Sequence, residues 1–240
     1  MIRTAALAAL ALAVAPPEAA AAEPGLSQLL KRCFDAYGGL ERLERHAARL
    51  EEGRVALSKD NPLRPGASGR LARAWERPAR LRVEIGYQGA EPEIRVLDGA
   101  RGWRNGTEVT GTAPYLAMVL QAARLDLPYL LASRRLQLQD RGALRRGGEV
   151  LRAVAVPLGN EVSLTVEIEP ATGRILRSAG RMPVGGGSTE FVAVYSDFRT
   201  VEGMLVPFRE ENWVSGVRTG ETVLERVEPL RVAPMGAFRP

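Results

Sequence analysis

The sequence predicts a mainly β (α+β) fold, a single antiparallel meander interrupted twice by helix. Three observations predict it. Apolar and polar residues alternate with period two in segment after segment between Ala48 and Val227. Turn residues separate those segments at short intervals. Helical spacing is confined to the stretch beginning at Leu26 and to Thr112–Leu131.

The amino terminus, Met1 to Ala22, reads as a secretory signal. Arg3 supplies the positive start, Ala5 to Ala15 is uncharged and apolar, and Ala20-Ala21-Ala22 fits small-residue cleavage. The run is shorter than the roughly 20 apolar residues that a membrane span requires. Removing the first 22 of the 240 residues leaves 218, enough for one domain, 23–240, with its own core. The chain is therefore expected to be exported. The one cysteine, Cys33, lies beyond the cleavage site and lacks the neighbours of a lipoprotein acylation box. A single thiol closes no internal disulfide, so the core must carry the stability. Of the positive residues behind the formal charge of +5, all but Lys31 and Lys59 are arginine. That bias fits a GC-rich genome, and nucleic acid is not an expected partner of an exported chain.

Leu26, Leu29, Leu30, Cys33, Phe34 and Tyr37 fall on one helical stripe, with Lys31, Arg32 and Asp35 opposite. Ser27 is placed to cap the helix and Gly38-Gly39 to end it. Leu40–Arg45 forms a second turn of helix before a strand at Ala48–Leu57. A Pro- and Gly-rich loop, Leu57 to Gly69, leads to a strand at Arg70–Glu76. The clearest alternation follows: Leu81, Val83, Ile85 and Tyr87 on one face, Arg80, Arg82 and Glu84 on the other. Ile94 and Val96 continue the pattern to Asp98-Gly99, and Trp103 precedes an Asn105-Gly106 hairpin turn.

Thr112 to Leu131 reads as helix capped by Thr112 and broken at Pro128. Tyr115, Met118, Val119 and Ala122 form one stripe, yet Leu116, Leu120 and Ala123 make the other side apolar as well. Such a helix is buried on both sides or faces something greasy outside the chain. Strands resume at Arg134, turn at Arg141–Gly148, and continue at Leu151–Val156, Ser163–Ile168, Ile175–Met182, Glu190–Phe198, Met204–Trp213 and Arg218–Val227. Pro207 points to an edge or bulge position.

No catalytic or metal site is expected. His46 is the only histidine, too few bases for a triad, and with Cys33 it makes no zinc spacing. Cys33 sits on the buried stripe as an apolar filler. Glu41 with Glu44, and Glu51 with Glu52, read as solvated faces, and Gly185-Gly186-Gly187 lacks the lysine of a phosphate loop. The arginines Arg134, Arg135, Arg141, Arg145 and Arg146 read first as a solvated turn and second as a contact for phosphate head groups.

In order along the chain, Gly38-Gly39-Leu40-Glu41-Arg42-Leu43 after an amphipathic helix, Asp98-Gly99 with Gly102-Trp103, Thr172-Gly173-Arg174, and Ser196-Asp197-Phe198-Arg199 followed by Gly203 and Pro207-Phe208 resemble the LolA/LolB-like periplasmic family of outer-membrane lipoprotein-sorting proteins. The resemblance covers nearly the whole mature chain. It implies a curved antiparallel sheet forming an unclosed β-barrel, plugged by helices on its concave side, that binds lipid or lipoprotein acyl chains and hands them to a membrane partner. It implies no cofactor, and the matched motifs carry no functional residue over. On this reading an apolar cavity is lined by Leu81, Val83, Ile85, Tyr87, Ile94, Val96, Trp103, Tyr115, Met118 and Val119. The alternative is an envelope interaction or sensor module whose hollow is filled by its own side chains.

Overall fold

The computed structural model describes residues 25–133, 138–159 and 162–240. The expected signal segment, and the start of the strand expected at Arg134, lie outside the described residues. Helices α1 (Leu26–Ala36) and α2 (Leu40–Arg45) precede six strands, β1 (Ala48–Leu57), β2 (Ser68–Glu76), β3 (Arg80–Tyr87), β4 (Glu93–Asp98), β5 (Arg101–Arg104) and β6 (Thr107–Glu108). Helices α3 (Ala113–Leu125) and α4 (Leu127–Ala132) follow. Seven more strands complete the chain: β7 (Gln139–Arg146), β8 (Glu149–Gly159), β9 (Val162–Ile168), β10 (Ile175–Val184), β11 (Gly187–Val201), β12 (Met204–Val214) and β13 (Val217–Leu230).

These strands form one 13-stranded antiparallel sheet in the order β6-β5-β4-β3-β2-β1-β13-β12-β11-β10-β9-β8-β7. It consists of two meanders joined where β13 returns to pair with β1, from Ala48 opposite Leu230 to Leu57 opposite Gly220. β6 and β7 remain at the two ends, so the sheet does not close.

Its curvature follows from what α3 touches. That helix contacts β3, β4 and β5 on one flank and β9 and β10 on the other. β4 and β10 are seven places apart in the sheet order, roughly 34 Å if the sheet were flat. A helix about 10 Å across reaches both only if the sheet bends around it. Two glycines make the seats. A Cβ on Gly102 of β5 would lie 2.8 Å from Met118 Cε, and one on Gly180 of β10 would lie 2.9 Å from Leu120 Cγ. Real side chains at either position would push α3 away.

The helix apolar on all sides is thereby explained. Leu120 enters a core with Leu29, Cys33, Val154, Val166, Ile168 and Ala193. Tyr115, Met118 and Ala122 enter another with Leu81, Val83, Ile85, Leu97 and Phe208. A small cluster, Ala48, Val96, Ala233 and Phe238, covers the opposite face near the carboxyl terminus.

Local expectations fare differently. Gly38 and Gly39, at φ 98° and 84°, end α1, but Ser27 lies inside the helix and Gly25 precedes it with no side-chain cap. The break between α3 and α4 falls at Asp126, and Pro128 occupies the first turn of α4, where its missing N–H costs nothing. Residues 141–146 are strand, not turn, and only the Gly147-Gly148 pair reverses the chain. Cross-strand pairing of Arg152 with Asp140 fixes that strand. Pro207 lies in an interior strand, yet the β12–β13 ladder begins at Arg209, so Pro207 is paired on one side only.

Candidate functional site

The hollow of the sheet, roofed by α3 and α4, is the candidate site. The alternation in β3 puts Leu81, Val83, Ile85 and Tyr87 on its wall, with Tyr115, Met118 and Val119 packed on them from α3. Ile94, Val96 and Trp103 are elsewhere. Arg82 faces Val96, and Val96 faces Trp103, across the ladder. These residues therefore lie on the opposite face, against Ala233 and Phe238. The inward residues of β4 are Glu93, Arg95 and Leu97, across from Ile85, Val83 and Leu81, and only Leu97 is apolar. A short strand with adjacent apolar residues on both faces, Val96 and Leu97, hides its own parity.

The inward wall is not wholly apolar. Glu51 and Arg73 are direct partners across the β1–β2 ladder and are 3% and 6% exposed. They share a charge-assisted hydrogen bond, while Arg49 Nε lies 2.6 Å from the other Glu51 oxygen. Burial pushes the Glu51 carboxyl up, but the Arg49 and Arg73 guanidiniums outweigh burial and hold it below the usual carboxylate range. Glu51 is thus buried and paired, not on a solvated face. Glu52 is the exposed one. The signal was present in the sequence, because counting back from Val55 puts Glu51 inward, and Arg73 sits between Leu71 and Trp75 on their face.

A second buried pair pins the roof. Arg77, from the β2–β3 turn, donates through Nε and Nη2 to Asp126 at the α3–α4 joint, with Nη2 at 2.6 Å. Its Nη1 donates to the Leu43 carbonyl of α2 at 3.1 Å. The guanidinium also stacks on Tyr129 of α4, 3.6 Å from the ring centroid. One side chain therefore ties the sheet to α2, α3 and α4. Burial raises the Asp126 pKa, partly offset by Arg77 and Arg49.

Two cavities lie along the hollow. One of about 90 Å³ sits beneath the α3–α4 joint, lined by Arg49, Trp75, Arg77, Arg124, Leu127 and Phe208 among others. The other, about 230 Å³, includes Val83, Ile85 and Tyr87 with Arg95 and Gln121. Arg73, Glu210 and Thr222 line both, so the ionic cluster forms the partition.

Cys33 is fully buried, and burial pushes its thiol up to about 12, leaving no thiolate for chemistry at neutral pH. His46 follows α2 and lines the smaller cavity. Among the described residues no three His, Cys, Asp or Glu side chains converge to hold a metal. Arg134 and Arg135 lie outside the described residues, and Arg146 is taken by Glu167 at 2.8 Å. Among the described residues no helix is long and apolar enough to cross a membrane.

No protein-family model matches the sequence, and no curated protein matches it. Solved structures do match. A LolA superfamily protein from Nitrosomonas europaea aligns over 89% of this chain and 97% of its own, at 14% identity and a TM-score of 0.59. A DUF1329 family protein from Desulfovibrio piger aligns over the same shares, at 8% identity and a TM-score of 0.50. An open antiparallel sheet curved around its helices, matched over nearly its whole length, gives this chain the fold of the LolA superfamily.

Proposed function

We propose that the protein is a periplasmic binding protein that shelters the acyl chain of a lipid or lipoprotein, acting by binding rather than by catalysis. One observation carries the reading: α3 is apolar on both sides from Ala113 to Leu120, and it fills the space between two apolar flanks of an open sheet. Swung away, it uncovers two apolar flanks with the Glu51–Arg73 cluster between them. Burying a dozen methylenes along those flanks would supply on the order of 10 kcal/mol before ordering costs. The 90 Å³ cavity holds only about three water molecules' share of liquid volume. A long chain therefore enters only when α3 and α4 move, and the Arg77–Asp126 pair is the latch. As a carrier the protein would pass its cargo to a partner at the inner or outer membrane.

Native mass spectrometry of protein purified from its own envelope tests the reading. Co-purifying lipid, and uptake of a fluorescent fatty acid after delipidation, are expected. Ligand-free protein that takes up none would defeat it. The second reading, a non-transporting interaction or sensor module, draws on how closely the roof is packed: Leu81, Val83 and Leu97 are 0% exposed and Met118 1%. It expects no uptake, so the same experiment separates the two.

A further inference from the structure

We propose that the cavity beneath the α3–α4 joint is a site for the carboxylate head of a long-chain fatty acid. This rests on the acyl-chain reading above and adds to it the chemistry of the ligand's polar end.

The cavity contains donors that the fold itself does not use. Trp75 lines the cavity and is 4% exposed, and its buried Nε1 has no acceptor among the described residues. Arg124 is in the same state at Nε. Its Nη2 donates to the Phe191 carbonyl, and no carboxylate pairs with it among the described residues. An indole N–H is only a donor, and so is a guanidinium N–H. Two buried donors lining one cavity call for an acceptor, and leaving them bare is costly.

The charge balance selects an anion. Arg49, Arg73, Arg77 and Arg124 line the cavity against Glu51, Asp126 and Glu210. Four guanidiniums against three carboxylates leave one positive charge, which a monoanion neutralises. Arg49 and Arg73 are both held by Glu51, Arg73 also lies 4.0 Å from Glu210, and Arg77 is held by Asp126. Arg124 is the cation left over. The cavity's size suits a carboxyl group and excludes a bulky head. Its remaining wall, with Leu125, Leu127, Val206, Phe208 and Leu224, leads toward the seat of α3, where the tail would run.

The test uses the full mature chain, delipidated, titrated with palmitate and with hexadecanol, which share a tail and differ in the head. Charge-assisted hydrogen bonds to a buried head predict palmitate binding tighter by roughly 10- to 100-fold. In Arg124→Gln and in Trp75→Phe the ratio of the two affinities falls toward one, and thermal melts confirm that each variant is folded. Equal affinities in the wild-type chain would overturn the carboxylate site while leaving the acyl-chain reading intact. Binding of neither would overturn the acyl-chain reading itself. A preference for palmitate that survives both substitutions would place the head elsewhere.

Discussion

Arg77 ties the sheet to α2, α3 and α4 through one side chain. It closes a bidentate bond on Asp126, donates to Leu43 and stacks on Tyr129. Removing one member of a buried pair strands the other charge. Asp126→Ala should therefore cost about 3 kcal/mol, toward the low end for such pairs because Arg77 keeps its carbonyl and ring. Urea unfolding measures it, and a loss below about 1 kcal/mol would show the latch to be slack. Two of the buried carboxylates, Glu51 and Asp126, behave oppositely with pH. Glu51 is held below its unfolded pKa of about 4.3. Its contribution is present above that value and disappears as pH falls through the folded one. Asp126 is raised, so its contribution is present below about 3.9 and is lost as pH rises through its folded value. Glu51→Gln should accordingly flatten the acid limb of stability against pH, and Asp126→Asn should not. Strand parity puts Glu51 and Arg73 inward, but which arginine partners which carboxylate was not legible in a chain where arginine is common everywhere. Charge at an inward strand position looks like an ordinary surface residue until the neighbouring strand supplies its partner, as Arg73 does for Glu51.

The decisive element is α3. Its apolar stripe and its apolar back were both visible in the sequence, as were the strands β1, β3 and β9 and the Asn105-Gly106 turn, because each depends only on local spacing. What the spacing left open was which flank each side meets. Gly102 and Gly180 settle that, and neither glycine announces its role without the helix above it. The same limit explains β4, where Leu97 and not Ile94 or Val96 faces inward. Because Leu120 is 2% exposed, Leu120→Ala should destabilise by about 2–5 kcal/mol. Gly180→Val meets Leu120 and forces the roof outward. It should lower the melting temperature and speed uptake of a fluorescent fatty acid. Slower uptake in that variant would contradict a movable roof.

At the scale of the molecule, the sheet stays open because β6 and β7 do not meet, and its bend is held by a helix rather than by closing hydrogen bonds. A closed barrel would have a fixed interior. This one can exchange the side chains of α3 for a ligand of similar character, at the expense of one latch and two helix seats. A disulfide tests that claim directly. A Cβ at position 180 would sit 2.9 Å from Leu120 Cγ, which marks where the Sγ of a cysteine would lie, so one further C–C bond puts the two Cβ atoms no more than about 4.4 Å apart, within the disulfide range. In a Gly180→Cys/Leu120→Cys chain that also carries Cys33→Ala, because Cys33 shares a core with Leu120, oxidation should abolish uptake of the fluorescent fatty acid and reduction should restore it. Uptake that proceeds unchanged in the oxidised protein would contradict the account.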